Sequence, residues 1–138
     1  MILEVKDAIY SRLSALNVPI VERTDTLDDA GAPVDIVAPF LIVDVQSPTR
    51  TSGRADNKQA RRDIVFQVTS VNSHVDAVLD LDERAGDLLA DWRPTSQGLH
   101  FGVVVMYAQA SFPRLDATLP GRQLYICHSV WNTTVEPA

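Results

Sequence analysis

The hydrophobic positions near the start of the chain follow a helical period. They recur at intervals of three and four residues, at Ile2, Val5, Ile9, Leu13 and Leu16. This spacing places them on one side of a helix. Pro19 disfavours helical angles in the residue before it. The pattern therefore predicts a first helix over about residues 2–16.

A second helical pattern covers about residues 74–92. Its apolar stripe consists of Val75, Val78, Leu81, Ala85, Leu88 and Trp92. The same segment carries several carboxylates, among them Asp80, Asp82, Glu83 and Asp87. We interpret these acidic residues as the solvated face of an amphipathic helix rather than as a carboxylate cluster.

Four segments have the character of strands. Residues 40–45 and 62–71 are the clearest, because Ile64, Phe66 and Val68 alternate with polar residues, the period of a half-buried strand. Residues 102–110 and 122–135 follow the second helix, and residues 20–23 are a short additional candidate. The order predicts an α+β fold, with a largely antiparallel or mixed sheet of four to five strands and two helices packed on one face. A length of 138 residues fits one domain, residues 1–138.

The connection between the first two clear strands is long and basic. It covers about residues 47–61, and we expect it to be the loop of an antiparallel hairpin. Loops of this length are uncommon and are usually functional or disordered. Positive charge is concentrated there, at Arg50, Arg54, Lys58, Arg61 and Arg62. We interpret this segment either as a solvated hairpin tip or as an element that docks on an acidic protein surface or on passing DNA.

Two strands contain consecutive apolar residues, at 40–43 and at 103–106. Such strands are usually buried on both faces. Two amphipathic helices can cover only one face, so either loops or the N-terminal segment of the same chain, or a partner subunit, must cover the other. The partner interpretation predicts self-association, with Phe40, Ile42, Val104 and Met106 as candidate interface residues.

Composition and charge narrow the classes of function. The chain is 46% hydrophobic and 22% charged, which is typical of a globular protein. Its net charge of −6 disfavours a general nucleic-acid binder, since such proteins carry basic faces. The first turns carry charges at Glu4, Lys6 and Asp7, and they lack the basic region and the continuous apolar run of a signal peptide. No stretch approaches the roughly 20 apolar residues of a membrane span. We therefore expect synthesis in a cytosolic solvent and no membrane partner.

The residues that could carry catalysis are few. Cys127 is the single cysteine, which excludes an internal disulfide, and His74, His100 and His128 lack the spacing of a helix-borne zinc site. Cys127 and His128 are neighbours on a predicted strand and should point to opposite faces. Nucleophile-elbow, Walker, dinucleotide and EF-hand motifs are absent from the sequence. We expect no enzyme activity, cofactor or metal site.

The sequence resembles the tail terminator, or tail-completion, proteins of long-tailed phages. The resemblance covers about residues 2–135 and depends on the order and character of the segments. They are the opening helix MILEVKDAIYSRLSAL, the strand APFLIVDVQS, the strand RRDIVFQVTSVNS, the helix HVDAVLDLDERAGDLLADW, the loop FPRLDATLPG and the final strand RQLYICHSVWNTTV.

This resemblance implies a structural protein of the virion, located at the head-proximal end of the tail after assembly in the host cytoplasm. Its copies would form a hexameric ring that caps the tail tube, ends its polymerisation and contacts the head-tail connector. DNA in transit would make at most passive contact with it. A head-tail connector or stopper protein is the nearest alternative. A small host enzyme or a ligand-binding domain is a third.

Overall fold

The computed structural model describes residues 2–26, 29–31, 36–46, 49–51, 61–109, 113–115 and 124–137. Two α-helices lie in these ranges: α1 (Ile2–Leu13) and α2 (Val75–Leu89). Short 3-10 turns cover Ser14–Leu16 and Arg23–Thr26. The strands are β1 (Ile20–Val21), β2 (Phe40–Val45), β3 (Thr49–Thr51), β4 (Arg61–Asn72), β5 (Leu99–Phe101), β6 (Val105–Gln109), β7 (Arg114–Leu115) and β8 (Tyr125–Pro137).

The described strands form one mixed sheet. Its order is β1-β2-β4-β8, and the short strands β5, β6 and β7 follow one another along the outer edge of β8. β1 is parallel to β2, and every other pairing is antiparallel. The expected hairpin between β2 and β4 is confirmed, with Phe40 opposite Val71 and Val45 opposite Phe66. β3 extends this hairpin by pairing with the start of β4.

Both helices pack on the same face of the sheet. Val5, Ile9 and Leu13 of α1 are fully buried in one apolar core with Leu81, Ala85 and Leu89 of α2. The strands add alternate residues to that core, namely Leu41, Val43, Ile64, Phe66, Val68, Trp131 and Val135. Burying each large apolar side chain contributes roughly 1.5–3 kcal/mol, so this layer dominates the stability of the fold.

The predicted α+β class and the placement of the helices are confirmed. The strand count is higher than expected, with eight strands among the described residues. The extra strands β3, β5 and β7 are short, and each of them forms by pairing with β4 or β8. The predicted strand over 102–110 begins only at Val105, and the separate strand β5 precedes it. Thr49–Thr51 and Arg61, which the predicted loop over 47–61 included, lie in strands, and the other residues of that segment lie outside the described residues.

The opposite face of the sheet is apolar at one end and polar in the neighbouring part. Phe40, Ile42 and Val71 form a second core cluster with Leu124, and Val21, Ile36, Ala38 and Ile126 pack against it. Segments of the same chain therefore cover this end of the face. The neighbouring part carries Asp44, Gln67, Thr69 and His128, on alternate positions of β2, β4 and β8.

Candidate functional site

The two chemically reactive neighbours on β8 lie on opposite faces, as predicted. Cys127 is buried on the helix side, and burial raises the pKa of its thiol, an effect that the nearby Asp82 carboxylate reinforces. A raised pKa reduces the thiolate fraction that a nucleophile needs. His128 points the other way, so the two side chains form no catalytic pair.

His128 belongs to a polar cluster on the second face. The Gln67 amide donates from Nε2 to His128 Nδ1 over 3.1 Å, and Thr69 Oγ1 lies 2.9 Å from the same nitrogen. Burial lowers the pKa of His128, and the positive charges of Arg114 and Arg23 act in the same direction. The negative charges of Asp44 and Asp82 oppose the shift. This environment holds a neutral imidazole as a structural hydrogen-bond acceptor.

The described part of the chain contains no group of three or more His, Cys, Asp or Glu side chains arranged to hold a metal ion. Within the same residues, no helix has the length and apolar character that a membrane span requires.

The basic hairpin is only partly described. Arg50 lies in β3, where its backbone pairs with Arg62 of β4. The side chain of Arg61 is exposed and that of Arg62 is half-buried. Arg54 and Lys58 lie outside the described residues. The structure therefore brings the backbones of Arg50, Arg61 and Arg62 together at one end of the sheet.

The structure places three of the four candidate interface residues in the interior of the subunit. Phe40, Ile42 and Val104 are 2%, 7% and 0% exposed, so they belong to the interior of the subunit. Of the two interpretations, cover by segments of the same chain therefore applies to Phe40 and Ile42, which pack with Leu124, Ile36 and Ala38. Met106 is 45% exposed and remains a candidate interface residue.

A groove lies between α2 and the edge strand β6, and we call it the α2/β6 groove. Its volume is about 410 Å³, within the roughly 300–1,000 Å³ typical of ligand sites. It is lined by Leu79, Asp82, Glu83 and Asp87 on α2, Met106 and Gln109 on β6, and Ser129 and Trp131 on β8. Glu83 and Asp87 are exposed, whereas Trp131 is fully buried. The groove thus combines apolar walls with acidic side chains.

Asp82 is the unusual residue of this groove. It is only 7% exposed, and its Oδ2 accepts a hydrogen bond of 3.0 Å from Gln109 Nε2. Its other oxygen, Oδ1, is buried without a hydrogen-bond partner among the described residues. Burial raises the pKa of this carboxyl group, against the opposing effect of the Gln109 hydrogen bond and, when His128 is protonated, of its positive charge. A buried carboxylate with an unsatisfied oxygen is energetically unfavourable.

Our assignment of Asp82 to the solvated helix face was wrong, and the helical spacing already contained the correct answer. Asp82 lies four residues after Val78 and three before Ala85, which are both buried. Residues at these intervals share a face of a helix. Its carboxylate therefore had to enter the layer between α2 and the sheet. Glu83 and Asp87 are exposed as expected.

Other exposed apolar side chains lie on α2 and β6. Val75 and Leu79 on α2 are 41% and 45% exposed, and Val105 and Tyr107 on β6 are 47% and 71% exposed. β6 pairs with β8 on one side, and no described strand pairs with its other side. An apolar, unpaired sheet edge of this kind is a frequent site of protein association.

A second groove lies at the opposite edge of the sheet, between α1 and β2. It is lined by residues that include Leu3, Lys6, Glu22, Arg23 and Asp44. Its charges are already satisfied within the subunit, since Lys6 pairs with Glu22 and Arg23 pairs with Asp44. This groove therefore offers less unsatisfied polar chemistry than the α2/β6 groove.

The overall fold is shared with a chain of a virion. A chain from the structure described as the virion of a native gene transfer agent particle superposes with a TM-score of 0.61. The match covers 94% of this chain and 92% of the other, at 13% sequence identity. At this identity the likeness establishes a common fold along nearly the whole length.

A second solved protein, which bears only a serial designation, has the same fold. It superposes with a TM-score of 0.68 at 15% identity, over 100% of this chain and 97% of its own. No protein-family model matches the sequence, and no curated protein matches it either. The similarity to known proteins therefore lies in the fold.

Proposed function

We propose that this chain is a structural protein of a phage or phage-like virion, and that its copies form a ring that closes the tail tube. The observation that carries this proposal is the fold shared with a chain of the gene transfer agent virion over 94% of the present chain. The order of segments, which resembles the tail terminator proteins, supports the same function.

The exposed surface supports an assembly role. The apolar and acidic α2/β6 groove and the unpaired side of β6 lie on one edge of the subunit, with Met106 at their centre. The exposed side chain of Arg61 adds a positive charge at the start of β4. We propose that these surfaces contact neighbouring proteins of the particle, which include other copies, the tube protein and the head-tail connector.

A non-catalytic role agrees with the chemistry of the described residues. The Cys127 thiol has a raised pKa, and the neutral His128 ring serves as an acceptor for Gln67. Neither group is arranged to activate the other. We therefore propose that the protein acts through binding and requires no cofactor.

Electron microscopy of the purified protein mixed with uncapped tail tubes tests the proposal. We expect ring-shaped density at one end of each tube, and tube elongation from added tube protein should stop at that end. Tubes without end density, or tubes decorated along their sides, would contradict the proposed cap. Binding to isolated connector rings without any binding to tubes would indicate the alternative, a connector or stopper protein.

A further inference from the structure

We propose that the α2/β6 groove binds the basic end of β4 from a second copy of this chain, so that copies join head to tail. This inference deepens the proposed function and shares with it the requirement for self-association. The partner surface is the start of β4, where Arg61 is exposed, whereas Arg62 is half-buried and points to the opposite face of the sheet. The receiving surface contains Asp82, Glu83 and Asp87.

The first support is the buried Asp82 carboxylate. It is 7% exposed, and its Oδ1 has no hydrogen-bond partner among the described residues. Oδ1 is buried and Oδ2 already accepts from Gln109, so the gain from a partner is electrostatic rather than a bidentate hydrogen bond. A positive charge seated in the groove that Asp82 lines offsets the cost of burying the carboxylate, and an arginine side chain carries such a charge.

The second support is the charge complementarity between two distant surfaces of the same chain. Glu83 and Asp87 are exposed beside the groove. Arg61 is exposed at the start of β4, and neither it nor Arg62 forms an ion pair within the described residues. Opposite charges on two surfaces favour an oriented encounter and disfavour contacts between like surfaces.

The two surfaces are too far apart for contact within one subunit. Arg62 pairs with Val135 of β8, whereas Gln109, which bonds Asp82, pairs with Ser129, six residues along the same strand. At about 3.4 Å per residue this separation is roughly 20 Å along the strand. The complementary contact must therefore join different copies.

Two symmetric arrangements can use this contact. In an isologous dimer the contact would form twice, with each groove receiving the basic end of the other subunit, so that no groove or basic end would stay free. When copies join head to tail, an open row of subunits has an unoccupied groove at one end and an unoccupied basic end at the other. Such contacts either close into a ring or continue as a filament. We propose the head-to-tail arrangement, because it is the one that can close into the ring of the proposed function.

Charge reversal provides the test. A groove variant carries Glu83→Arg and Asp87→Arg, and an end variant carries Arg61→Glu and Arg62→Glu. Sedimentation velocity over a micromolar concentration range should show assembly of the wild type and at least a 10-fold higher concentration requirement for either variant alone. Arg93→Glu with Arg114→Glu, at exposed arginines elsewhere, is the control and should assemble like the wild type.

Mixing the two variants gives the decisive measurement. The unchanged basic end of the groove variant fits the unchanged groove of the end variant. The two reversed surfaces also attract each other, but more weakly, because the reversed groove keeps the Asp82 carboxylate. An equimolar mixture should therefore assemble, with the two variants alternating and only even numbers of subunits in closed rings. One chain that carries all four reversals should also assemble by itself.

Three outcomes would overturn the inference. They are a wild type that stays at the 15.2 kDa subunit mass, an end variant that assembles like the wild type, and a mixture that does not assemble. If a reversal prevents folding, Asp82→Asn tests the same contact, because it removes the charge while nearly preserving the shape. It should weaken assembly at least 5-fold. If the wild type and the end variant both form rings that cap tubes, the proposed function is supported and only the proposed contact is rejected.

Discussion

Gln109 donates a hydrogen bond of 3.0 Å from Nε2 to Asp82 Oδ2, and this bond connects α2 to the edge strand β6. It satisfies one oxygen of a carboxylate that the fold buries among apolar side chains. The second oxygen has no partner among the described residues. The buried Asp82 carboxylate therefore lowers the stability of the subunit at the place where we propose that a neighbour binds. Functional sites often reduce stability in this way.

We predict that Asp82→Asn makes the isolated subunit more stable at neutral pH. Burial raises the pKa of Asp82 above its ordinary value of 3.8, so the folded protein binds more protons than the unfolded chain between these two values. The free energy of unfolding therefore falls as pH rises through this window. Above it, the wild type carries the full penalty of a buried charge, whereas the asparagine variant does not.

Urea denaturation at several pH values between 3 and 8 measures this effect. The curves of the wild type and Asp82→Asn should converge toward the acidic end and separate as pH rises. Asp87→Asn is the matched control, because Asp87 is on the same helix but is exposed. Equal stability of the wild type and Asp82→Asn at every pH would show that the carboxylate is not strained in the subunit.

We predict that His128 makes the fold sensitive to mild acid. Burial and the charges of Arg114 and Arg23 lower its pKa below the ordinary value of 6.5, so the unfolded chain binds more protons just below that pH. The stability that neutral His128 contributes is complete above pH 6.5 and decreases as pH falls toward the lowered pKa. Protonation would also remove the acceptor that the Gln67 amide uses.

His128→Gln should therefore flatten the dependence of the melting temperature on pH between about 5 and 7. His100→Gln serves as the control, because His100 is exposed on β5 and should leave the wild-type slope unchanged. A slope that persists in His128→Gln would assign the acid sensitivity to another group.

Two buried serines on the helix side of the sheet should respond oppositely to loss of their hydroxyl groups. Ser70 Oγ is buried without a partner among the described residues, whereas Ser129 Oγ accepts a 2.8 Å hydrogen bond from Trp131 Nε1. Ser70→Ala removes an unsatisfied group and should raise the free energy of unfolding by about 0.5–1.5 kcal/mol. Ser129→Ala leaves the buried indole N–H unpaired and should lower it by about 1–3 kcal/mol. Paired urea titrations measure both changes, and a loss of stability in Ser70→Ala would contradict the assignment.

The long elements of the fold could be predicted because their hydrophobic periods are long. Ile64, Phe66 and Val68 alternate along β4, and the stripe of α1 is buried as its spacing requires. β3 has only polar residues, and β5 has only Leu99 and Phe101 around an exposed histidine. Their strand conformation results from pairing with β4 and β8, which local sequence does not encode.

The candidate surface was harder to predict for a related reason. Phe40 and Ile42 indicated an uncovered sheet face, but Leu124, which is distant in sequence, packs against them. Such contacts depend on the path of loops and have no local signal. Asp82 is different, because its position relative to Val78 and Ala85 did indicate burial. Its acidic neighbours suggested a solvated face and hid this signal.

The last prediction concerns the apolar part of the α2/β6 groove. Leu79 and Met106 are each 45% exposed, and both line the groove. If a neighbouring copy covers them, replacing both by serine removes apolar area from the contact, at about 25 cal/mol for each Å² of buried apolar surface. We expect Leu79→Ser with Met106→Ser to raise the concentration required for assembly by roughly 10-fold or more, a change of about 1.4 kcal/mol. The fold should change little, because both side chains are already partly in water in the free subunit.

Leu3→Ser is the control, since Leu3 is 67% exposed on α1 at the opposite edge. Sedimentation velocity measures the assembly of all three proteins. An equal loss of assembly in Leu3→Ser would place the apolar contact at the α1 edge, and unchanged assembly in the double variant would show that the neighbour does not cover the groove.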